Sequence, residues 1–374
     1  MESRAAAPSA SQDALSGITP AVARLPLENI STLAKGVYRD PGILPLWFGE
    51  GDVPAPAFIG EAMAQYLSGL GRKPIGPDRI TATTSGMHAI LLAMRLVAEP
   101  GDTVIVIDPV WPNAGATAQL VGANIRSVRM DHGPAGWTLD LDKLAAALDD
   151  TVRAVFFASP GNPTGAMLPI ETQVALLEMC RVRGIWLIAD EVYNRLAFGL
   201  RAAPTILDHA EPEDRLLVMN SFSKAWAMTG WRLGWMVHPP SLGPTLAMLT
   251  QFTTSGVATF IQHAGIAAVR DCEPFVAFIR DYCEAGMRIV CDALEGFGRV
   301  RLGPRPVAGM YAYFEVDGMP DSRAACLELL EKTRVGLAPG AFFGPGSEGF
   351  LRVCVARCEG DLREAMGRLA GALG

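Results

Sequence analysis

The sequence predicts an α/β fold in which a mostly parallel sheet lies between helices, followed by a smaller α+β domain. Short apolar runs such as Arg153–Ala158 and Ile185–Ala189 have the length and composition of buried strands. The helix-length segment Pro169–Arg183 lies between those two runs, and this strand–helix–strand order is typical of parallel pairing. Because 374 residues exceed the size of one ordinary core, we expect two domains.

Changes in sequence pattern divide the chain into three parts. Residues 1–45 contain several prolines and glycines with little periodicity, and we interpret them as an N-terminal tail and arm. Residues 46–255 carry the strand–helix alternation of the large domain. Residues 256–374 are assigned to the smaller C-terminal domain.

The composition excludes several classes of function. A net charge of −7 leaves no basic face for nucleic acid. The 7 cysteines are scattered without paired spacing, which favours reduced thiols in a cytoplasmic protein and predicts no metal site. The Ala- and Ser-rich start lacks the pattern of a secretory signal, and no apolar run reaches the ~18 residues of a membrane span.

Small and polar residues precede the first long helix. Thr83–His88 comes directly before the apolar stretch Ala89–Val97, which ends at a Pro-Gly pair. A helix start leaves free N–H groups and a positive dipole end, so an anion is a natural occupant, with plain helix capping as the alternative. We interpret His88 as a helix residue and not as a ligand.

Aromatic and turn residues follow the next two strands. Thr103–Ile107 is a short β-branched strand, and Trp111 comes soon after it. Asn162 follows the strand Arg153–Ala158, within the turn-forming sequence Ser-Pro-Gly-Asn-Pro-Thr-Gly.

An acidic residue ends the following strand. Pro169 begins the intervening helix, Gly184 ends it, and we expect one apolar face; its members are Ile170, Val174, Leu177 and Cys180. The strand Ile185–Ala189 leads into Asp190, at the edge where parallel sheets bind ligands. The alternative for Asp190 is a helix N-cap.

The stretch 221–234 carries the strongest chemical pattern. It follows the apolar run Leu216–Met219, and an amine just past a buried strand can attack a carbonyl and form a Schiff base; that amine is Lys224. The hydroxyls of Ser221 and Ser223 and the guanidinium of Arg232 suit a phosphate. A Schiff-base lysine beside a phosphate cradle suggests pyridoxal phosphate.

Such a cofactor would give Asp190 and Tyr193 chemical roles. A carboxylate at Asp190 would keep the pyridine nitrogen protonated, because an opposite charge favours the charged form. A protonated ring is the better acceptor of electrons from the substrate. Tyr193 would hydrogen-bond the phenolic oxygen of the cofactor.

The last third of the chain changes pattern. The segment 251–256 is interpreted as a loop before one long helical stretch from Ala258 to about Leu294. An antiparallel strand is predicted within Pro304–Val316, and a second strand, Phe350–Val355, carries Arg352 among apolar neighbours. The final helix places Leu362, Met366, Leu369 and Leu373 on one face.

From about Leu46 onward, the sequence resembles the class I/II aminotransferases, the fold-type I pyridoxal-phosphate enzymes, in particular aspartate aminotransferase-like members. The motifs that carry the resemblance are Ser-Gly-Met at 85–87, Asn-Pro-Thr-Gly at 162–165, the acid at Asp190 and the Ser-Phe-Ser-Lys stretch that contains Lys224. The resemblance implies a homodimer that transfers an amino group between an L-amino acid and a 2-oxo acid, with 2-oxoglutarate as the expected acceptor.

The resemblance also implies roles for individual residues. Ser85, Gly86 and Met87 would bind the cofactor phosphate, Trp111 would stack on its ring, and Asn162 would donate to its phenolic oxygen. Gly49, Asn162 and Arg352 would bind the substrate. Gly49 and Arg352 would contact its carboxylate, Arg352 through a bidentate pair that lysine cannot copy. The segment 251–256 would reach the phosphate of the partner subunit. Phe48, Trp111 and Met310 favour an apolar or aromatic substrate.

The chain departs from this family pattern after Met63, where a Tyr-Thr motif is absent. Because that tyrosine would donate to the cofactor phosphate across the dimer, its loss favours weaker cofactor binding. Two alternatives stay open: a carbon–sulfur β-lyase of the same fold, and a catalytically weakened pyridoxal-phosphate-binding protein, which the missing motif favours.

Overall fold

The computed structural model describes residues 14–23, 59–70 and 72–374. Its helices are α1 (Pro20–Ala23), α2 (Ile59–Gly69), α3 (Gly86–Val97), α4 (Asn113–Leu120), α5 (Leu141–Ala147), α6 (Ile170–Arg183), α7 (Gly243–Thr254), α8 (Thr259–Asp271), α9 (Glu273–Leu294), α10 (Ser322–Thr333) and α11 (Glu359–Leu373). Its strands are β1 (Ile80–Thr83), β2 (Thr103–Asp108), β3 (Asn124–Arg129), β4 (Asp131–Gly133), β5 (Gly136–Thr138), β6 (Val152–Ala158), β7 (Trp186–Asp190), β8 (Leu216–Ser221), β9 (Gly234–Val237), β10 (Val300–Arg301), β11 (Tyr311–Val316), β12 (Ala338–Pro339) and β13 (Phe350–Cys354).

In the described part of the chain, the largest sheet has seven strands in the order β1-β9-β8-β7-β6-β2-β3. The pairs β8–β7, β7–β6, β6–β2 and β2–β3 are parallel, whereas β9 runs antiparallel to both of its neighbours. The predicted mostly parallel α/β fold is confirmed. As a result, β2, β6, β7 and β8 end at the same edge of the sheet, and β9 begins there.

Both faces of the central strands β2, β6, β7 and β8 are largely buried, which explains why these strands are nearly continuous apolar runs. All six residues of β2 are buried. Val104 and Val106 belong to the core beneath α3, while Ile105 and Ile107 belong to the core on the opposite face. Burial of apolar surface on both faces at ~25 cal/mol per Å² is the main stabilisation of such a layered sheet.

A second sheet is antiparallel, in the order β10-β11-β13-β12. It packs with the inner faces of α9 and α11 in a separate core. The predicted face of the last helix is confirmed, since Leu362, Met366, Leu369 and Leu373 are all buried there. Of the predicted domain boundaries, the one at residue 45 lies outside the described residues.

Several predicted elements differ from those observed. The predicted helical stretch 258–294 is helical but divided in two: α8 ends at Asp271 and α9 begins at Glu273, because Pro274 cannot donate a hydrogen bond and fits only a helix start. The predicted loop at 251–256 is wrong. Residues 251–254 are the last turn of α7, which ends where Ser255 adopts a left-handed conformation with φ 55°.

The remaining differences concern α6 and the strand in Pro304–Val316. The helix runs from Ile170 to Arg183, so it begins one residue after the predicted start at Pro169. Gly184 caps its end as expected, in a left-handed conformation with φ +65°. Its buried face contains Leu177 and Cys180 as predicted, but Gln173 and Leu176 are buried in place of Ile170 and Val174. The strand is shorter than the predicted range and begins only at Tyr311.

Two glycines in helices test this packing. A Cβ on Gly286 in α9 would overlap the carbonyl oxygen of Val355, whereas a Cβ on exposed Gly367 in α11 would meet nothing within 4 Å. We expect Gly286→Ala to lower the free energy of unfolding by about 2 kcal/mol or more through overpacking. Gly367→Ala should raise it by roughly 0.5–1 kcal/mol, because alanine favours a helix. Chemical denaturation measures both, and equal effects would contradict this packing of α9 against residue 355.

Candidate active site

A cavity of about 330 Å³ lies at the sheet edge where the parallel strands end. Polar residues from the loops after β2, β6, β7 and β8 converge on it, as expected for a parallel sheet. Ten of the predicted site residues line it: Gly86, Met87, Trp111, Asn162, Asp190, Tyr193, Ser221, Ser223, Lys224 and Arg232. The residues that the sequence predicted to form one site therefore do lie together in the fold, although they are up to 146 positions apart, from Gly86 to Arg232.

The start of α3 forms one wall of the cavity. Ser85 is the N-cap of this helix, and its hydroxyl accepts the N–H of His88 at 3.0 Å. The helix start lies so close to β9 that a Cβ on Gly234 would be 2.6 Å from the backbone nitrogen of Gly86. This close approach requires glycine at position 234 and leaves the Gly86 N–H near the end of β8.

The turn after β8 supplies hydroxyls and cations. The Ser221 hydroxyl accepts the N–H of Ser223 at 3.0 Å and lies 2.9 Å from the Ser223 hydroxyl. Arg232 is exposed, adopts a left-handed conformation with φ 54°, and donates to the carbonyl of Thr229 at 2.7 Å. The Nζ atom of Lys224 lies 5.8 Å from the centre of the Tyr193 ring.

Asp190 is the last residue of β7, and its carboxylate accepts the N–H of Val192 at 3.0 Å. Because a turn and the short 3-10 helix Asn194–Leu196 follow it, Asp190 does not cap an α-helix. Burial raises the pKa of Asp190 to about 6, and Lys224 offsets little of this increase. An additional cation in the cavity would therefore be stabilised beside this carboxylate.

Tyr193 is buried next to a tyrosine of the second sheet. Its hydroxyl lies 3.5 Å from that of Tyr311. Burial, followed by the neighbouring Tyr311, raises the pKa of Tyr193 well above its ordinary value. Tyr193 therefore stays protonated at neutral pH and can donate a hydrogen bond into the cavity.

Arg352 lies behind the cavity wall and among aromatic rings. Its Nη1 atom donates to Oδ1 of Asn162 at 2.9 Å, which leaves the amide nitrogen of Asn162 free to donate into the cavity. The guanidinium carbon lies 4.1 Å from the ring centre of Tyr311, 4.9 Å from that of Phe343 and 5.6 Å from that of Trp111. Its buried Nε atom has no hydrogen-bond partner, and Arg352 forms no ion pair with a carboxylate among the described residues.

The structure separates other candidates from the cavity or leaves them untested. Gly49 and Phe48 lie outside the described residues. Met310 packs against the main core and does not line the cavity. Tyr66 is also elsewhere: its hydroxyl contacts Arg195 and its ring packs edge-on against Trp226.

Sequence reasoning missed Tyr311 and Val110, which both line the cavity. Tyr311 reaches it because β11 and β13 pair antiparallel, with Tyr313 opposite Arg352 and Tyr311 two residues away along the strand. Only that register could have identified it. Among the residues that the structure covers, no cluster of His, Cys, Asp and Glu could hold a metal ion, and no helix is long and apolar enough to cross a bilayer.

Comparisons with known proteins agree on one family. The family model for aminotransferase class I and II matches residues 50–369. The chain is 34% identical to the valine–pyruvate aminotransferase of Mycobacterium tuberculosis over 301 residues, which cover 79% of this chain and 76% of that protein. It is 29% identical to an aspartate aminotransferase of Streptomyces avermitilis over 308 residues, or 79% of this chain and 74% of that protein.

A solved structure gives the same result for the fold. The crystal structure of the aspartate aminotransferase of Thermotoga maritima matches with a TM-score of 0.78 and 27% identity, over 87% of this chain and 90% of that one. Family match, relatives and fold together identify the chain as a member of the class I and II aminotransferases, which are pyridoxal-phosphate-dependent enzymes of fold type I.

Proposed function

We propose that this aminotransferase moves the amino group of an L-amino acid with an apolar or aromatic side chain to a 2-oxo acid, with 2-oxoglutarate as the acceptor. The observation that carries the proposal is the guanidinium of Arg352, which has no acidic partner among the described residues and is held by Asn162 and three aromatic rings. A guanidinium without a counter-ion, directly behind the cavity wall, favours a carboxylate ligand.

The donors of the cavity fit the cofactor. Backbone N–H groups at the start of α3, the hydroxyls of Ser221 and Ser223, and the cation of Arg232 suit a phosphate monoester. The enclosed Asp190 suits a cationic ring nitrogen, and Trp111 offers a flat face. In this proposal, Ser85, Gly86, Met87, Ser221, Ser223 and Arg232 hold the phosphate.

Pyridoxal phosphate supplies an aldehyde that accepts the amino group and a ring that takes up the electrons of the broken C–H bond. The Asp190 carboxylate would keep the ring nitrogen protonated, and Asn162 and Tyr193 would donate hydrogen bonds to the phenolic oxygen. The Nζ atom of Lys224 would hold the cofactor at rest. Once the substrate amine has displaced it, the freed amine would take the proton from the substrate α-carbon as base and deliver it to the cofactor as acid. Arg352 binds the α-carboxylate and thereby fixes the direction of the α-hydrogen.

The lining of the cavity supports an apolar side chain on the donor. The basic side chains that line it in the described part of the chain are Lys224 and Arg232, and both have other roles in this proposal. The side-chain carboxylate of an acidic substrate such as aspartate would lose its hydration in the cavity without gaining a cationic partner there. Val110 and Trp111 instead offer apolar surface. One of the two relatives described above is named for an acidic substrate, aspartate, and the other for an apolar one, valine.

The proposal extends to assembly, domains and location. We expect a homodimer with a large domain over residues 46–255 and a small domain over residues 256–374, and the separate core of the second sheet supports this division. All seven cysteines lie in the described part of the chain and are free, which supports a cytoplasmic location.

The donor specificity can be measured with the purified enzyme and pyridoxal phosphate. We expect L-valine, L-leucine or L-phenylalanine to convert the cofactor to its amine form with a kcat/KM at least about tenfold above that of L-aspartate. The absorbance change without acceptor reports this half-reaction, and 2-oxoglutarate or pyruvate should then restore the aldehyde form.

Lys224→Ala provides the inactive control for the donor measurement. A preference for aspartate would contradict the proposed substrate class. Release of ammonia and a 2-oxo acid without an acceptor would identify the β-lyase alternative instead.

The role of Arg352 is tested by Arg352→Lys. Because lysine cannot form a bidentate pair, we expect KM for the amino acid to rise at least about 30-fold, which corresponds to ~2 kcal/mol. The cofactor content should stay unchanged. The matched control is Arg301→Lys in the same small sheet, where the exposed arginine pairs with Glu315 and Asp317. Saturation like that of the unmodified enzyme would show that the carboxylate binds elsewhere.

A further inference from the structure

His88 is a buried histidine whose two ring nitrogens both have partners. It is only 8% exposed. The N–H of Thr84 points to its Nδ1 atom at 3.4 Å, and its Nε2 atom lies 3.0 Å from the hydroxyl of Thr253. Because Nδ1 accepts, the proton is on Nε2 and is donated to Thr253. The Thr253 hydroxyl in turn donates to the carbonyl of Leu249 at 2.8 Å.

Further hydrogen bonds link residues 83–88 to one another at the start of α3. The backbone N–H of His88 donates to the Ser85 hydroxyl at 3.0 Å, while the imidazole receives the N–H of Thr84. The hydroxyl of Thr83 donates to the carbonyl of Ser85 at 2.8 Å. Residues 83–88 are thereby tied to one another, and the imidazole ties them to the last turn of α7.

We propose that His88 is a positioning residue that fixes the direction of the backbone N–H groups at residues 85–87, so that they point at the cofactor phosphate. This inference rests on the proposed function, because it assumes that the phosphate binds at the start of α3. His88 itself does not line the cavity. Its ring acts through the backbone N–H of Thr84, and Thr253 anchors its far side.

The physical reason is the directionality of charge-assisted hydrogen bonds. An N–H donor contributes most when it points along the bond to the anion, and its contribution decreases steeply as the angle closes. Without the imidazole, residues 84–86 lose the tie to α7, and the N–H groups can turn away from the phosphate. Burial also lowers the pKa of His88, so the neutral ring with one accepting nitrogen persists at neutral pH.

The test compares two ligands that differ only in the phosphate. Dissociation constants of pyridoxal phosphate and of pyridoxal are measured for the cofactor-free full chain by fluorescence titration. For His88→Ala we expect affinity for pyridoxal phosphate to decrease about tenfold, whereas affinity for pyridoxal changes less than about twofold. His88→Asn should recover part of the loss, because its side-chain oxygen can still accept the N–H of Thr84.

His238 provides the matched control. It is 1% exposed, and its ring is bonded on both sides, to Thr81 at 2.9 Å and to the carbonyl of Pro239 at 2.8 Å. It directly follows the last residue of β9. That end of the strand is far from the cavity, because Gly234 at the other end approaches Gly86. His238→Ala should therefore leave both dissociation constants unchanged even if it lowers stability.

Thr253→Val keeps the imidazole and removes its anchor, so it tests the same idea if His88→Ala does not fold. We expect a smaller loss of affinity in the same direction, again only for pyridoxal phosphate. Equal losses for both ligands, or no loss in either variant, would overturn the role of His88 while leaving the proposed function intact. Failure of the unmodified chain to bind pyridoxal phosphate would overturn both.

Discussion

Two charged side chains that have no ion-pair partner in the described part of the chain dominate this site. The Asp190 carboxyl is enclosed at the end of β7, where burial raises its pKa to about 6. Among the described residues, Asn162 and aromatic rings surround the Arg352 guanidinium. Isolated charges of this kind are costly unless a ligand compensates them. In the proposed function, the Asp190 carboxylate would pair with a protonated pyridine ring, and the Arg352 guanidinium would pair with the carboxylate of an amino-acid substrate.

The fold places these charges through two different pairing patterns. Parallel strands bring the ends of β2, β6, β7 and β8 to one edge, so Asp190, Asn162, Trp111 and Ser221 meet there without being close in sequence. Arg352 comes from the antiparallel sheet, and its contact with Asn162 joins the two sheets at the cavity. A shift of one sheet relative to the other would therefore change the distance between carboxylate and cofactor sites. Aromatic rings from both sides pack on the guanidinium and limit such a shift.

Local pattern was sufficient to predict β2, β6, β7 and β8, because buried parallel strands are nearly continuous apolar runs, but it did not identify β1, β3 or β9. The polar residues after such strands reach the cavity edge, and Lys224 and Asp190 were found in this way, whereas Asn162 was singled out by the resemblance to the aminotransferases. Tyr311 was not found, since it depends on the register between β11 and β13. His88 was correctly assigned to a helix, but its bond to Thr253 joins residues 165 positions apart. The helix break at residue 272 was missed although Pro274 signalled it, because apolar periodicity continues across it.

In the proposed function, the Asp190 carboxylate forms an ion pair with the protonated ring nitrogen of the cofactor. The titration of the Asp190 carboxyl can be followed by NMR of protein with ¹³C-labelled aspartate carboxyls, with Asp190→Asn to assign the signal. Without cofactor, the pKa should be about 6, as burial dictates. Binding of pyridoxal phosphate should lower the pKa well below that value, because the protonated ring nitrogen stabilises the carboxylate. A pKa that stays near 6 in the loaded enzyme would contradict the proposed pairing of Asp190 with the cofactor.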